Sequence, residues 1–451
     1  MSAAALLTPG ALLRTAARSK DFRRAAWLGL LALALRVAFA VAVQRHAYPP
    51  TDQPDTALRS QLAALGLFND AFFYHRAAEL LASGHGFSAA IGVPTAQWPP
   101  AFPTLLSLVY RVAGPHPVAG QVFNACLGAL TVPLLYLLAK RTFGRSEATI
   151  AAGALAVLPG QILWSDVELS ETLYTLLLVG FFLLVQVLPR RAWSAAALGV
   201  AAGIVILTRG DGILLLPALV AVWWPELRRR RLAAWTGTAI ACAALTVAPW
   251  TIRNAVVMGA FIPLSTNSST TLWSGHNPNA DGAQNYAPPS LLAHIAVHGK
   301  EHEIEEARLL RRKAFEFMRT HPARELELIP LKLINLNRGD ASALQWVDAG
   351  PPGDTPIPAE LETPVTVVAD SAYYALLAAT LLGIVLSGRA LWRRRTTRGV
   401  LILFAGALVL YGFVYYGNYR YRAPLEPLML LVAAPLLAGL WRRRGRLAPE
   451  P

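Results

Sequence analysis

The sequence predicts an all-α polytopic membrane protein with about ten transmembrane helices. Of its 451 residues, 55% are hydrophobic and only 15% are charged, and the mean hydropathy is +0.42. A soluble protein of this length carries more charge, so a lipid bilayer is the expected solvent for much of the chain.

Apolar runs follow one another along the chain and define the expected helices. They lie at 26–44, 117–139, 148–164, 171–188, 193–208, 212–225, 232–250, 368–387, 398–416 and 424–441. The runs 193–208 and 212–225 are shorter than the roughly 17 residues that a full span needs. We therefore expect a hairpin whose tip stops within the membrane or near its outer edge. The tip, residues 209–212, is charged and Gly-rich, and such backbone requires a protein-lined or watery cavity.

Basic clusters between alternate runs predict the orientation of the chain. They lie at 14–24, 140–145, 190–191, 228–231, 389–398 and 442–446. Placing all six in the cytoplasm makes every span alternate correctly, with both termini cytoplasmic. Because the arginines sit beside membrane spans, the net charge of +14 is explained without nucleic acid, which we exclude as a partner. We expect an integral protein of the cytoplasmic (inner) membrane.

This topology divides the chain into five parts. They are a basic cytoplasmic tail (1–25), a transmembrane core (26–250) with a first outer loop (45–116), an outer loop domain (251–367), C-terminal transmembrane helices (368–441) and a cytoplasmic tail (442–451). In the first outer loop, an amphipathic segment at 71–83 and a Pro-rich turn at 99–103 precede a short apolar stretch at 104–113. Charged amphipathic helices near 300–320 and 322–337 are expected to lie along the membrane interface. The Pro- and Gly-rich residues 349–363 predict a turn or linker.

Asp70 is a lone carboxylate in the first outer loop, flanked by aromatic residues that include Phe72 and Tyr74. A carboxylate near apolar surroundings has a raised proton affinity and can act as a general base. The alternative is a helix N-cap, because Asn69 or Asp70 directly precedes the helical segment 71–83.

Three further acids, Asp166, Glu168 and Glu171, occupy one short outer turn. Glu168 and Glu171 are three residues apart and share a helix face. The three acids can hold a divalent cation through oxygen ligands or position an acceptor hydroxyl. The alternative is a solvated turn in which Ser170 caps the next helix.

Four arginines lie at the outer ends of spans, against the charge bias of the rest of the chain: Arg209, Arg253, Arg420 and Arg422. A guanidinium group matches phosphate bidentately and stays charged at any working pH. A cluster of them facing the cavity would bind a phosphate group. Interfacial snorkelling among the neighbouring Trp and Tyr residues is the alternative for each.

Short sequence pieces with a fixed order extend along nearly the whole chain. The first piece consists of Asp70, Tyr74, Ala78 and residues 84–87, and the second is residues 99–103. The others are Pro159 together with residues 170–171, and then residues 207–209, 249–254, 321–322 and 420–424. Through these pieces the chain resembles the GT-C class of membrane glycosyltransferases. Within that class it is most similar to glycosyltransferase family 39, which contains the protein O-mannosyltransferases and the bacterial aminoarabinose lipid A transferase.

The resemblance implies a fold, a donor and roles for several residues. We expect a GT-C-like helical bundle that transfers a sugar from a polyprenyl-phosphate-linked donor at the outer face, to a lipid, glycan or protein acceptor. Asp70 matches the first-loop acid that is catalytic in this family, and Glu171, assigned to catalysis with it, matches the second acidic position. Arg420 and Arg422 match a basic position near the last spans, which implies donor phosphate contact.

Two departures separate this chain from the family pattern. The first-loop acid is often an Asp-Glu pair, whereas Ala71 follows Asp70 here, and residues 209–211 read Arg-Gly-Asp in place of a more usual Arg-Pro.

The expected mechanism has Asp70 as catalytic acid/base in an inverting transfer. The four arginines stabilise the departing phosphate, with a divalent cation on Asp166 and Glu168 as the one candidate cofactor. The lipid and acceptor pocket is assigned to Phe72, Tyr74 and Trp98.

The competing functional class is a transporter or lipid flippase, which also has about ten spans. The absence of an internal sequence repeat and the large, acid-bearing outer loops disfavour it. A non-catalytic scaffold with the same fold is the other alternative.

Overall fold

The computed structural model describes residues 20–43, 70–295, 297–347 and 357–447. Within these ranges the protein is almost entirely helical, with one two-stranded antiparallel hairpin between Ser88–Ala90 (β1) and Val93–Pro94 (β2). The predicted all-α membrane class is confirmed. The candidate cap Asn69 and most of the predicted 349–363 turn lie outside the described residues.

The helices of the first half of the chain contribute most of the apolar core. They are α1 (Lys20–Ala42), α2 (Asp70–Ala82), α3 (Ala101–Ala113), α4 (Pro117–Thr142), α5 (Arg145–Val157), α6 (Pro159–Ser165), α7 (Glu171–Val187), α8 (Ala192–Thr208), a 3-10 turn (Gly210–Leu214), α9 (Leu215–Trp223) and α10 (Arg229–Met258).

The second half begins with the long loop and ends with further long helices. Its elements are α11 (Asn267–Gly275), α12 (Pro289–Leu292), α13 (Gly299–Thr320), α14 (Pro322–Leu336), a 3-10 turn (Asp340–Ala343), α15 (Leu344–Val347), α16 (Ala359–Arg393), α17 (Arg395–Val409), a π-helical turn (Leu410–Val414), α18 (Tyr419–Arg422), a 3-10 turn (Ala423–Leu425) and α19 (Glu426–Leu447). The predicted helices at 71–83, 300–320 and 322–337 are confirmed to within two residues at each end.

The predicted number of full spans is not reached by the described helices. Among the described residues, six helices are long and apolar enough to cross a membrane, and α5 with α6 makes a seventh if that pair, bent by 53°, counts as one span. Helices α7 and α8 are apolar but have fewer than 18 residues, and α9 is shorter still. The count of ten spans is therefore not confirmed, although the predicted apolar runs are largely helical.

The bend between α5 and α6 is stabilised by a buried arginine. Pro159 begins α6, and a proline cannot continue the hydrogen-bond ladder of the preceding helix. Arg36 of α1 donates from Nη1 to the Ala156 carbonyl at 3.3 Å and from Nε to Ser165 Oγ at 3.1 Å. Carbonyl groups released by the break thus gain a donor, which a buried kink requires.

Two glycines of α8 hold the short hairpin against α10. A Cβ on Gly199 would lie 2.4 Å from the Ala239 carbonyl oxygen, and one on Gly203 would lie 2.5 Å from Thr246 Cβ. Small residues at such a seam allow close helix packing where apolar surface alone gives no driving force in lipid. This contact fixes the position of the hairpin tip.

Two predicted boundaries in the loops are wrong. The 99–103 segment is a turn only up to Pro100, because α3 begins at Ala101 and Pro103 lies in its first turn, where a proline is tolerated. The last part of the predicted 349–363 linker is helical, since α16 begins at Ala359, well before the apolar run starts.

A buried histidine connects α11 to the π-helical turn and to α14. The His276 ring is 2.7 Å from Glu325 Oε2 and 3.0 Å from the Val414 carbonyl oxygen. Lys332 Nζ lies 3.4 Å from the same ring, and burial lowers the pKa of Lys332 to about 8. This network fixes the turn that carries Tyr411.

Candidate active site

A cavity of about 370 Å³ lies between the first loop, the hairpin tip, α11 and the π-helical turn. Its walls combine ionisable, aromatic and aliphatic side chains from parts of the chain that are far apart in sequence. They are Asp70, Tyr74, Trp98, Pro99, Thr208, Arg209, Gly210, Asp211, Ile213, Pro263, Leu264, Ser265, Asn267, Ser268, Thr271, Leu410, Tyr411, Tyr415, Arg420 and Tyr421. Of the predicted site residues, Asp70, Tyr74, Trp98, Arg209 and Arg420 line it.

Asp70 points into the cavity from the first turn of α2. Its Oδ1 accepts from Trp98 Nε1 at 3.3 Å, and its Oδ2 accepts from Arg420 Nη1 at 2.6 Å. Within the described residues the carboxylate accepts no main-chain N–H, so the structure does not use it as the side-chain cap of α2. About 30% of the side chain is exposed, which leaves room for a second partner.

Aromatic packing sets the direction of α2. The Phe73 ring stacks on Trp98 at 4.8 Å, and Tyr74 packs edge-on against Phe102 at 5.3 Å. Tyr74 OH lies 3.3 Å from Ser170 Oγ, and burial raises the pKa of the Tyr74 phenol. Phe72, assigned from sequence to the pocket, is instead fully buried behind this wall and does not line the cavity.

A chain of ion pairs begins at Asp70 and passes through both cavity arginines. Arg420 Nε donates to Glu171 Oε1, and Arg209 Nη1 donates to the same oxygen at 2.6 Å. Arg209 Nε then donates to Asp211 at 3.3 Å, and Tyr411 OH donates to Asp211 Oδ2. The alternation places each guanidinium group between two carboxylates, which lowers the cost of burying all five charges.

Both arginines keep one end of the guanidinium group available. Neither Arg209 Nη2 nor Arg420 Nη2 donates to any residue that the structure describes. Aromatic rings support the planes of these groups: Trp346 lies 4.7 Å from Arg420 Cζ, and Tyr421 lies 5.3 Å from Arg209 Cζ. Two adjacent, oriented guanidinium groups with free N–H donors suit a phosphate.

Glu171 is placed behind these arginines. It is the first residue of α7 and is almost completely buried, and it does not line the cavity. Its Oε1 accepts from both guanidinium groups, while its Oε2 has no hydrogen-bond partner among the described residues. The geometry favours a positioning role for this acid.

Arg253 does not reach the cavity. Its Nη1 donates to the Thr95 carbonyl at 2.7 Å and its Nη2 to the Phe87 carbonyl at 2.6 Å. The guanidinium group also packs 4.9 Å from the Trp250 ring. Arg253 thus ties α10 to the backbone of the β1–β2 hairpin, and its contacts give no support for the predicted phosphate role.

Arg422 lies in a separate buried network. It donates to Asp340 Oδ1 at 2.7 Å and to Glu426 Oε1, and its Nη2 also donates to the Arg338 carbonyl at 2.8 Å. Its guanidinium carbon is 3.4 Å from the centre of the Tyr373 ring. With its donors used in this way, Arg422 joins α18 to the 3-10 turn at 340–343 and not to the cavity.

The acids predicted as metal ligands point in different directions. Asp166 Oδ1 accepts from Gln121 Nε2 at 2.9 Å. Glu168 is fully buried, where it contacts His75 at 3.1 Å and accepts from Tyr110 OH. Within the described ranges, no three His, Cys, Asp or Glu side chains form a metal-binding group. Glu171 is already paired with the guanidinium groups of Arg209 and Arg420. The three acids therefore do not fit a divalent metal ion.

Sequence reasoning did not select Asp211, Tyr411 or Tyr421 as site residues. Asp211 carried a signal, because a charge in the Gly-rich tip of a membrane hairpin requires a partner or water. Tyr411 lies in an apolar run, where nothing separates it from an interface anchor, whereas Tyr421 lies between Arg420 and Arg422, which were the residues selected there.

Comparison with known proteins shows which family this chain resembles. Residues 97–252 match the family model described as dolichyl-phosphate-mannose-protein mannosyltransferase. The GT-C resemblance is confirmed. None of the curated proteins matches the chain.

Solved structures of low sequence identity align with most of this chain. The apo oligosaccharyltransferase of Archaeoglobus fulgidus aligns with a TM-score of 0.50 at 16% identity, covering 96% of this chain and 53% of that one. AglB of the same organism, in complex with an inhibitory peptide and a dolichol-phosphate, aligns with a TM-score of 0.47 at 16% identity, covering 94% of this chain and 52% of that one. ArnT from Cupriavidus metallidurans bound to undecaprenyl phosphate aligns with a TM-score of 0.41 at 18% identity, covering 92% of this chain and 78% of that one. The chain therefore spans about half the length of the archaeal enzymes.

Proposed function

We propose that this GT-C protein is an inverting glycosyltransferase that moves a sugar from a polyprenyl-phosphate-linked donor to an acceptor at the outer face of the cytoplasmic membrane. The observation that carries the proposal is the arrangement in one cavity of a partly exposed carboxylate, Asp70, and two guanidinium groups with free Nη2 donors. The matching family model, described by its dolichyl-phosphate-mannose substrate, supports the class of donor.

The donor phosphate is assigned to Arg209 and Arg420. A phosphodiester carries one negative charge and can accept hydrogen bonds from both Nη2 groups. Its binding there breaks no hydrogen bond to the described residues, because both groups are unpaired. The aliphatic side chains of Ile213, Leu264 and Leu410 line the same cavity. They provide an apolar wall for the first isoprene units of the lipid.

Asp70 is the proposed general base. The acceptor hydroxyl attacks the anomeric carbon and gives its proton to the Asp70 carboxylate. The bond between the anomeric carbon and the phosphate oxygen breaks, the electron pair stays on that oxygen, and polyprenyl phosphate leaves against the two arginines. A single displacement of this kind inverts the anomeric carbon.

The ion pair between Asp70 and Arg420 gives a reason for donor and acceptor to bind in order. Arg420 Nη1 donates to Asp70 Oδ2 at 2.6 Å and occupies part of the acceptor capacity of the carboxylate. When a phosphate draws Arg420 toward itself, this oxygen becomes available to accept from the acceptor hydroxyl. Donor binding would thereby prepare the site for the acceptor.

Orientation and acceptor class complete the proposal. The six basic clusters support cytoplasmic termini, which places Asp70 and the cavity at the outer face. The acceptor is a hydroxyl of a lipid, a glycan or a protein that reaches this face.

Replacement of Asp70 by Asn tests the proposal. Asn cannot accept the acceptor proton, so we expect Asp70→Asn to lower kcat for sugar transfer by at least about 100-fold. Binding of the lipid donor should change by no more than a few-fold. Transfer is measured with purified protein in detergent, polyprenyl-phosphate sugars and a membrane extract as the acceptor source.

The matched control is Asp281→Asn, the same change in an exposed loop outside the cavity, where the carboxylate bonds only to its own turn. It should retain wild-type turnover. Near-normal transfer by Asp70→Asn would contradict the catalytic assignment, and alternating-access transport without any sugar transfer would favour the rival class.

A further inference from the structure

Asp211 is the second carboxylate that lines the cavity. The chain of ion pairs begins at Asp70 and ends at Asp211. It lies in the hairpin tip, its side chain is 9% exposed, and it lines the cavity. Arg209 Nε, at 3.3–3.4 Å, and Tyr411 OH donate to it, and the Tyr174 hydroxyl group also interacts with it. A carboxylate accepts about four hydrogen bonds, so these contacts leave acceptor capacity unused.

The charge count of the site shows what the donor does to Asp211. Asp70, Glu171 and Asp211 face Arg209 and Arg420, so three carboxylates and two guanidinium groups give a formal charge of −1. A donor phosphodiester makes this −2 and draws the arginines toward itself. The weak contact between Arg209 and Asp211 is the one that yields most easily.

A buried carboxylate that loses its cation must gain other donors. Phosphate cannot supply them, since it only accepts hydrogen bonds at this charge. The ring of the donor sugar can, because it is joined to that phosphate and carries hydroxyl groups. The lining of the cavity also includes the polar side chains of Asn267, Ser268 and Thr271, besides Tyr411, and this composition suits a sugar.

We infer that Asp211, held by Tyr411, is the residue that recognises the donor sugar, accepting hydrogen bonds from its hydroxyl groups and excluding sugars that carry a carboxylate. This inference rests on the proposed function. Exclusion follows from charge: a uronic acid would bring the site to −3 and place two carboxylates together in a buried cavity, which costs free energy. The donor is therefore a neutral or cationic sugar.

The experiment uses purified full-length protein and separates sugar binding from phosphate binding. Wild-type transfer is first measured with polyprenyl-phosphate mannose, glucose and galactose, and the donor with the highest kcat/KM becomes the probe. Affinity is then measured for this probe and for polyprenyl phosphate without a sugar. We expect Asp211→Asn to weaken probe binding by about 10- to 100-fold and to leave polyprenyl phosphate binding unchanged or slightly tighter.

Tyr411→Phe provides a second variant that keeps the ring and removes the hydroxyl group. This variant should lower the affinity for the probe by a smaller factor than Asp211→Asn does, because Asp211 remains but is less firmly oriented. Glu226→Gln is the matched control: it neutralises an ion-paired acid, bound to Arg190, that lies outside the cavity. It should match wild type in every measurement.

Selectivity is the decisive readout. The ratio of kcat/KM for the neutral probe to that for polyprenyl-phosphate glucuronic acid should fall at least tenfold in Asp211→Asn. If Asp211→Asn lost affinity for the probe and for polyprenyl phosphate to the same extent, the inference would be overturned. Asp211 would then only support Arg209. Wild-type protein that transfers neither these three sugars nor a cationic amino sugar from polyprenyl phosphate would instead contradict the proposed function itself.

Discussion

Arg209 and Arg420 illustrate how a single residue type serves different purposes in this protein. Both guanidinium groups are oriented by a shared carboxylate, Glu171, and by aromatic rings, yet each keeps free donors toward the cavity. Arg253 and Arg422 have the same sequence signal but give their donors to backbone carbonyls and to buried acids. The number of donors left unused separates a candidate ligand-binding arginine from a structural one.

The phosphate role of Arg420 predicts a large effect of a conservative change. Arg420→Lys keeps the charge but loses the two-pronged geometry. We expect the affinity for polyprenyl phosphate to fall by about tenfold or more, as measured with the purified protein. Arg190→Lys, an exposed and distant exchange of the same kind, should have no effect. Unchanged affinity in Arg420→Lys would contradict the assignment.

At the residue scale, the sequence was sufficient to select Asp70, Tyr74, Trp98, Arg209 and Arg420, all of which line the cavity. It could not separate them from Arg253 and Arg422, because snorkelling, backbone capping and ligand binding all place an arginine at the end of a span. Asp211 and Tyr411 are 200 residues apart in sequence, and no local pattern connects them.

At the scale of elements, the position of Asp70 depends on how α2 is attached to the bundle. Glu168, in the turn before α7, contacts His75 of α2 and accepts from Tyr110 of α3. Gly120 of α4 provides the space for this carboxylate: a Cβ there would lie 1.9 Å from Glu168 Oε1. Four segments of the chain therefore meet around one buried acid.

Substitution of this glycine tests the attachment. Gly120→Ala must displace Glu168 from its partners, and breaking a buried charged network of this kind lowers the free energy of unfolding by about 2–4 kcal/mol. Because α2 then loses its anchor, kcat for transfer should fall as well. Equilibrium denaturation in mixed micelles measures the first effect.

The control for this prediction is Gly153→Ala in α5, where a Cβ meets no atom within 4 Å. Alanine is the better helix former by about 0.5–1 kcal/mol, so this variant should be neutral or slightly more stable. Similar stability of the two variants would show that Glu168 moves aside without cost.

At the scale of the whole molecule, charge decides the orientation and apolar length decides the spans. The basic clusters alternate with the apolar runs, which predicts that α16 and α17 are joined on the cytoplasmic side and that the 251–367 loop lies outside. In this prediction the short helix α7 returns the chain to the cytoplasmic side, and the hairpin of α8 and α9 enters and leaves the membrane from that side, so the alternation is kept.

Cysteine labelling tests this orientation. In a background with Cys126 and Cys242 replaced by Ala, Gln284→Cys in the long loop should react with a membrane-impermeant maleimide on intact cells. Ala390→Cys, an exposed position in the basic C-terminal end of α16, should react only after permeabilisation. The cysteine-free background controls for labelling of other groups, and the reverse pattern would contradict the proposed topology.

Three predictions rest on the amino-acid sequence alone: a lipid bilayer as the solvent, the GT-C class, and Asp70 as the acid of the first outer loop. Apolar length and composition require a bilayer, six basic clusters predict the orientation, and ordered motifs indicate the GT-C class and single out Asp70. Only the tertiary structure decided which polar side chains share the cavity, that Glu171 lies behind the arginines and that Asp211 lies beside them. The physical reason is that these contacts join residues far apart in sequence, up to 350 positions for Asp70 and Arg420. The direction of a buried side chain is set by whichever partner neutralises it, and that partner is known only once the helices have packed.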